Sequence, residues 1–194
     1  DPGSFRTLDA LTTLAFDYPR RADFFRSELE NYLLLARDQE FDLLEIRGSY
    51  AGALGIPQFM PSSYRNYAVD FNGNRKTDLL REPEDAIGSV ANYLKSYGWA
   101  NSTPVTVRAQ ITEKAWVGEI TAPRTLAAWS AVGIVPREDL HQGQTARLID
   151  FTVAEGKELW LAFRDFDVIT RYNNSDFYAM TVFQLAEELK AARR

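Results

Sequence analysis

The most informative part of the chain is residues 48–64, which read GSYAGALGIPQFMPSSY. These 17 residues combine three glycines and two prolines with one glutamine, one methionine, three serines and three aromatic rings. Small residues allow close approach to the backbone, and Gln58 supplies both a hydrogen-bond donor and an acceptor. The rings of Tyr50, Phe59 and Tyr64 offer flat apolar faces, as a sugar site requires. An ordinary core segment does not need this mixture, which therefore indicates a ligand-binding loop.

Composition limits the classes of function. The chain has 194 residues and a mass of 22.0 kDa, which fits one domain or one domain with an insertion. Its net charge of −5 argues against nucleic acid or an anionic membrane as partner, because both favour a basic patch. The sequence has no cysteine, which excludes disulfides, thiol catalysis and thiolate metal sites. No apolar run reaches the roughly 18 residues that a transmembrane helix needs.

Helical periodicity dominates the first hundred residues. Apolar residues recur at helical spacing over 8–16, 22–37 and 84–97, and Pro61 is placed to open a further helix over 61–67. We interpret Glu28 and Glu30 as solvated charges on the helix 22–37. Ser62 and Ser63 are interpreted as a cap of the helix that begins at Pro61.

The pattern changes near Asn101. Apolar and β-branched runs predict strands at 105–107, 120–121, 149–153 and 158–163, and helical periodicity returns over 179–193. We therefore predict an α+β, mainly α fold. It consists of a helical core over 1–100, a small β-rich insertion over 101–166 and a C-terminal segment with a helix over 167–194.

Five ordered blocks extend this pattern along most of the chain, namely residues 5–11, 16–21, 48–64, 85–93 and 169–173 with 178–180. In this order they resemble the membrane-bound lytic murein transglycosylase B family, whose goose-lysozyme-like members cleave bacterial peptidoglycan. Several blocks in register are a more specific signal than one Gly-rich loop. The resemblance implies that the helical core is lysozyme-like and contains a glycan cleft.

The implied reaction breaks the β-1,4 bond between N-acetylmuramic acid and N-acetylglucosamine and closes a 1,6-anhydro ring. One carboxyl group acts as acid and then as base, unlike the paired carboxylates of most glycosidases, and an apolar setting must raise its pKa. The family glutamate lies upstream of the residues matching 3–6, so we expect the catalytic acid before Asp1. Glu45, close to Ser49 in sequence, is the least implausible substitute, but we assign it no catalytic role. We therefore expect this chain to bind glycan and to turn it over poorly.

The same resemblance implies which residues bind the glycan strand: Ser49, Gln58, Phe59, Tyr93, Tyr172 and Tyr178. For each tyrosine the alternative is an amphipathic core residue whose hydroxyl reaches water or a protein partner. For Gln58 the alternative is a side chain that caps the backbone of its own loop.

The loop 70–78 resembles an EF-hand calcium loop, because oxygen-bearing side chains occupy its first, third and fifth positions. The implied ligands are Asp70, Asn72, Asn74, the carbonyl of Lys76, and Asp85. Arg75 replaces the usual glycine at position six and Arg81 the glutamate at position twelve, which weakens the binding of a hard dication. The alternative is an Asn/Gly-rich turn held by side-chain-to-backbone hydrogen bonds. The reaction itself requires no cofactor.

Three functional hypotheses follow from these observations. The first is a lytic transglycosylase, the second a non-catalytic peptidoglycan-binding module, and the third a scaffold in a cell-wall complex. The resemblance implies peptidoglycan strands as the partner, with cell-wall synthesis or remodelling proteins as further partners. It also implies a periplasmic location, with an outer-membrane anchor through an N-terminal lipid that lies before Asp1.

Overall fold

The computed structural model describes residues 3–112, 122–154 and 156–193. The chain divides into two compact units, Asp1–Ser96 and Tyr97–Arg194. Described residues of the first unit are mainly helical, and those of the second contain a five-stranded antiparallel sheet together with three helices. The α+β, mainly α class predicted from the sequence is confirmed.

The first unit contains four α-helices and a short two-stranded pair among its described residues. In chain order the elements are β1 Phe5–Arg6, α1 Thr7–Asp17, a 3-10 turn Pro19–Arg21, α2 Ala22–Asp38, β2 Arg47–Gly48, α3 Pro61–Tyr67 and α4 Pro83–Ser96. All four helices predicted here are confirmed to within a few residues at their ends. The strands β1 and β2 are antiparallel, with Phe5 opposite Gly48, so the start of α1 lies beside the start of the segment 48–64.

In the first unit, the buried residues of a helix lie along one face of that helix. In α2 the buried positions are Phe25, Glu28, Tyr32, Leu35 and Ala36, which share one face at spacings of three and four residues. The largest fully buried side chains of the unit include Tyr32, Tyr64, Phe59 and Leu11. Two aromatic rings of the Gly-rich segment are therefore part of this core.

The second unit is built on the sheet with strand order β4-β6-β7-β3-β5. Its elements are β3 Thr106–Ile111, β4 Arg124–Thr125, α5 Leu126–Ala131, β5 Ile134–Pro136, β6 Thr145–Val153, β7 Gly156–Ala162, α6 Arg164–Tyr172 and α7 Asp176–Ala192. Strands β6 and β7 form a long hairpin, with Ile149 opposite Trp160.

Alternation along β6 and β7 gives the sheet two apolar faces. Leu161 and Ala146 pack with Trp129 of α5, whereas Trp160 and Ile149 pack with Phe166 of α6. Because side chains alternate along a strand, neighbouring residues of one hairpin supply both clusters. The sheet therefore carries an apolar cluster on each of its two faces.

Three of the strand predictions, at 105–107, 149–153 and 158–163, correspond to β3, β6 and β7. The fourth, at 120–121, lies outside the described residues. The short helices α5 and α6 were not predicted, because six and nine residues give too few turns for a clear period. Contacts with the two faces of the sheet stabilise them instead.

Candidate functional site

The segment 48–64 forms a tight loop closed by its own backbone. Leu54 and Phe59 exchange both backbone hydrogen bonds, at 2.7 and 3.0 Å. The half-buried hydroxyl of Ser49 accepts the backbone N–H groups of Ala51 and Ala53, at 3.2 and 3.0 Å. Ser49 therefore holds the first turn of the loop.

Two glycines press this loop against the core of the first unit. Gly52 has a φ of +84°, and a Cβ there would lie 2.4 Å from Cδ2 of Leu11. Gly55 has a φ of +68°, and its Cβ would lie 2.3 Å from the carbonyl oxygen of Leu79. At both positions glycine is required by the protein's own packing, independently of any ligand.

Gln58 occupies the left-handed region of backbone space, with a φ of +54°. Its backbone N–H and its side-chain Nε2 both donate to the carbonyl of Gly55, at 3.1 and 2.9 Å. This is the contact expected if the side chain caps its own loop. A non-glycine residue in this region costs about 1–3 kcal/mol and persists only where the surroundings enforce it. Such strain is typical of residues held in a functional geometry.

Phe59 and Tyr93 lie beneath the loop in an aromatic cluster. Their ring centroids are 5.7 Å apart, and Tyr67 meets Tyr93 edge-on at 4.9 Å. Phe59 is 2% exposed and Tyr93 is 6% exposed. The cluster therefore unites two of the predicted binding residues with Tyr67, which sequence reasoning missed, and it supports the loop from the core side.

The two tyrosines of the segment 48–64 differ sharply in exposure. Tyr50 is 75% exposed, whereas Tyr64 is 1% exposed. The hydroxyl of Tyr64 accepts the N–H of Leu79 and donates to the carbonyl of Thr77, and burial raises the pKa of Tyr64 to about 12. Of the three rings that the sequence offered as flat faces, only Tyr50 is open to a sugar in this structure.

Tyr172 and Tyr178 lie in the second unit, on either side of the turn between α6 and α7. Their rings stack, with centroids 6.4 Å apart and planes 9° from parallel. Ser175 caps α7 by accepting the backbone N–H of Tyr178 at 3.2 Å. Tyr178 packs against the cluster around Phe166, and burial raises the pKa of its hydroxyl.

Glu28 is buried, which corrects the prediction of a solvated charge. It is 4% exposed, and its carboxylate accepts the backbone N–H of Ser62 at 2.9 Å and the Ser62 hydroxyl at 2.6 Å. The expected serine cap is also wrong, because Met60 is the residue before α3 and makes no side-chain cap bond. Glu28 of α2 instead satisfies the first turn of α3 from a distance of 34 residues in sequence. Its position between Phe25 and Tyr32 on the apolar stripe was the available signal.

Two other glutamates of the first unit do not share the environment of Glu28. Glu30 is exposed on α2, as predicted, and Glu45 is exposed in the segment before β2. An exposed carboxyl group lacks the apolar surroundings that a general acid of this kind needs. Glu45 therefore gains no support as a catalytic residue.

The loop 70–78 is closed by hydrogen bonds from its own backbone. Asp70 accepts the N–H groups of Gly73, Asn74 and Arg75, at 2.7, 3.1 and 2.7 Å. The side-chain oxygens of Asn72 and Asn74 each accept the N–H two residues further on. These contacts match the Asn/Gly-rich turn that the sequence left as the alternative to calcium.

Two acidic residues complete the loop. Asp85 is fully buried and accepts the backbone N–H groups of Phe71 and Asp78 at 2.8 and 2.9 Å. Burial alone would raise its pKa, but these bonds outweigh that effect and lower it. Glu82 accepts the side-chain amides of Asn72 and Asn74, at 2.7 and 2.9 Å.

In this structure the side-chain amide nitrogens of Asn72 and Asn74, not their oxygens, face Glu82. Among the described residues, no group of three or more His, Cys, Asp or Glu side chains is arranged to hold a metal.

Comparison with known proteins places this geometry in a family context. Residues 1–187 match the family described as Transglycosylase SLT domain. The membrane-bound lytic murein transglycosylase B of Escherichia coli K12 is 45% identical over 191 residues, which are 98% of this chain and 53% of that protein. The chain thus spans about half the length of the curated relative that it matches.

Two solved structures extend the comparison. The Escherichia coli lytic transglycosylase Slt35 in complex with calcium superposes with a TM-score of 0.90 at 45% identity, covering 98% of this chain and 61% of that chain. SltB3 from Pseudomonas aeruginosa in complex with NAG-NAM-pentapeptide gives a TM-score of 0.84 at 32% identity, covering 97% of this chain and 52% of that chain. The lysozyme-like fold expected from the sequence is thereby confirmed.

Proposed function

Since the chain belongs to the Transglycosylase SLT domain family, we propose that it forms the glycan-binding part of a peptidoglycan lytic transglycosylase. The proposed reaction cleaves the bond between N-acetylmuramic acid and N-acetylglucosamine and forms 1,6-anhydromuramic acid. The observation that carries this proposal is the family match over residues 1–187. The SltB3 complex with NAG-NAM-pentapeptide supports a muropeptide as the ligand class.

The loop 48–64 is proposed to present its polar groups to the sugar. Ser49 and Gln58 are rigidly placed by their bonds to the loop backbone, so little entropy is lost when a glycan binds. Phe59 and Tyr93 are proposed to act indirectly, because their buried rings hold in place the loop that contains Gln58. Tyr50 is exposed and joins the predicted set as a stacking surface.

In the second unit, Tyr172 and Tyr178 are proposed to bind glycan through their stacked rings. Parallel rings offer an apolar face and a hydroxyl at each edge, which suits a sugar with both apolar and polar faces. The catalytic acid is proposed to be a glutamate before Asp1, as the resemblance implies.

Digestion of purified peptidoglycan tests this proposal, with products identified by mass spectrometry. We expect this 194-residue chain to bind insoluble peptidoglycan and to release few anhydromuropeptides. Abundant anhydromuropeptides would refute the upstream acid, and Glu45→Gln would then be the first variant to make. Failure of the chain to bind would refute the glycan site itself.

A matched pair of variants locates the binding surface. Gln58→Ala should weaken muropeptide binding, because it removes the amide from the loop. Gln110→Ala is the control, since Gln110 is an exposed glutamine on β3 outside the proposed site. Equal binding by both variants would exclude the Gln58 side chain from the glycan site.

The loop 70–78 is proposed to close without a metal. Slt35 is known in complex with calcium, but here the amides of Asn72 and Asn74 fill the space beside Glu82. We expect no change in melting temperature at millimolar calcium. The double variant Asn72→Asp with Asn74→Asp adds two carboxylates beside Glu82 and should acquire a calcium-dependent rise. A rise in the unmodified protein with calcium, absent with magnesium, would overturn this proposal.

The cellular location is proposed from the relative. Its name describes a membrane-bound enzyme, which supports a periplasmic protein anchored through an N-terminal lipid and working with cell-wall synthesis or remodelling proteins. In the ranges that the structure describes, none of the helices is both long and apolar enough to cross a bilayer. Fractionation of cells that produce the full-length protein, with detection in the outer-membrane fraction, tests the anchor.

A further inference from the structure

Arg147 of β6 forms hydrogen bonds with residues near the starts of both α6 and α7. These helices flank the turn that lies between Tyr172 and Tyr178, here called the tyrosine turn. Its Nε lies 2.8 Å from Oδ1 of Asp167. Its two terminal nitrogens lie 2.9 and 2.6 Å from the two carboxylate oxygens of Asp176. The guanidinium also stacks 5.4 Å above the ring of Phe166, which is fully buried. All three nitrogens of this guanidinium are therefore paired with carboxylates.

The two carboxylates occupy matching places in the fold. Asp167 lies in the first turn of α6, and Asp176 is the first residue of α7. A carboxylate at a helix N-terminus is favoured by the helix dipole, so both acids suit their positions before Arg147 is added. The arginine then fixes the start of α7 relative to the start of α6.

The stacked tyrosines lie within this fixed frame. Tyr172 is the last residue of α6, and Tyr178 follows Asp176 by two residues. Apolar contacts of Ile169, Ala179 and Met180 hold the helices on the sheet, but such contacts are non-directional. A bidentate guanidinium–carboxylate pair does define an orientation. It therefore sets the angle at which α7 starts, and with it the separation of the two rings.

We propose that Arg147 is a positioning residue for glycan binding, which acts by holding Asp167 and Asp176 so that Tyr172 and Tyr178 stay stacked. This role rests on the proposed function of the tyrosine pair. Hydrogen bonds to Asp176 and Asp167 raise the pKa of Arg147 although its own burial acts to lower it, so the guanidinium stays charged at all physiological pH values. Lysine cannot replace it fully, because one ammonium group cannot bond both carboxylates in a planar fork.

The sheet offers a matched control. Arg108 of β3 also pairs with a carboxylate, that of Glu158, and also stacks over an aromatic ring, Trp160, at 5.0 Å. Among the described residues, these side-chain contacts join β3 to β7. Arg108→Met thus removes a similar ion pair and stacking contact without touching the tyrosine turn.

The experiment compares the whole 194-residue chain with Arg147→Met, Arg147→Lys and Arg108→Met. Binding of NAG-NAM-pentapeptide is measured by calorimetry, and unfolding by thermal denaturation. We expect roughly tenfold weaker binding for Arg147→Met, a smaller loss for Arg147→Lys and less than twofold for Arg108→Met. Equal losses for the two methionine variants would overturn the proposal.

A second readout separates this proposal from the proposed function. The protein is labelled with 3-fluorotyrosine, and the fluorine signals of Tyr172 and Tyr178 are assigned with phenylalanine variants. Both signals should move in Arg147→Met and stay in place in Arg108→Met. If the unmodified chain binds no muropeptide, the proposed function fails. Unchanged signals in Arg147→Met would overturn the positioning role whatever the binding result.

Discussion

The contact between Glu28 and Ser62 gives the sharpest prediction about stability. Glu28 is 4% exposed and accepts two hydrogen bonds from Ser62, at 2.9 and 2.6 Å. A hydrogen bond to a charged group contributes about 1.5–3 kcal/mol, and loss of a helix cap costs about 1 kcal/mol. Because these terms overlap, we expect Glu28→Ala to lower the free energy of unfolding by about 3 kcal/mol.

Two further substitutions divide this effect between its parts. Glu28→Gln retains one acceptor oxygen and the shape of the side chain, so its cost should be about 1 kcal/mol. Ser62→Ala removes the hydroxyl but keeps the backbone N–H, with a similar expected cost of about 1 kcal/mol. Because both variants break the same contact, the double variant should cost less than their sum.

Urea denaturation measures all of these variants. Glu30→Ala is the control, because Glu30 lies on the exposed face of the same helix and should change stability by less than about 0.5 kcal/mol. If Glu28→Ala is no more destabilising than Glu30→Ala, the reasoning is refuted and the cap has no energetic role. The measurement also bears on the site, since α3 begins directly after Met60 at the end of the Gln58 loop.

Three other predictions concern the loops of the first unit. Folding lowers the pKa of Asp85. Its carboxylate therefore contributes fully to stability above its unfolded pKa near 3.8, and this contribution is lost as the pH falls through the folded pKa. Asp85→Asn should make the fall in the free energy of unfolding at acid pH less steep, as followed by circular dichroism. Gln58→Gly should be more stable than Gln58→Ala by about 1 kcal/mol, because both lose the side-chain bond to Gly55 and only glycine relieves the positive φ. Both variants should lower glycan affinity, and equal stability of the two in urea denaturation would contradict the strain. Gly52→Ala should lower the free energy of unfolding by about 2–3 kcal/mol, because its Cβ would clash with Leu11. Gly73→Ala should lower it by about 1 kcal/mol, because Gly73 has a positive φ but open space around it. Equal losses would show that the close contact with Leu11 is unimportant.

Much of the fold could be read from residue periodicity. Helices α2 and α4 were predicted because their apolar residues recur every three or four positions for three turns or more. Strand β6 was predicted because apolar and β-branched residues alternate with polar ones over 149–153, and β7 because apolar residues predominate over 158–163. The short helices Leu126–Ala131 and Arg164–Tyr172 were not predicted, because their helical form depends chiefly on packing against the sheet.

In the candidate site, too, some features could be predicted from the local sequence and others depend on tertiary contacts. Local rules of sequence identified the loop 48–64 and its glycines, because a tight turn needs residues that tolerate a positive φ. They did not reveal that Phe59 and Tyr93 are buried under the loop, or that the rings of Tyr172 and Tyr178 stack. Exposure and ring contacts depend on residues that lie far apart in the chain.

What the sequence alone determined was the type of element at each long periodic segment and the family of the chain, because both depend on local order. The tertiary structure decided which charges are buried and what they bond. In the sequence Glu28 resembles a surface acid, but in the fold it is bonded to Ser62, 34 residues away. Arg147 likewise pairs with Asp167 and Asp176 only because folding brings β6 beside them. The physical reason is that a buried charge is stable only with partners, and folding alone brings those partners together.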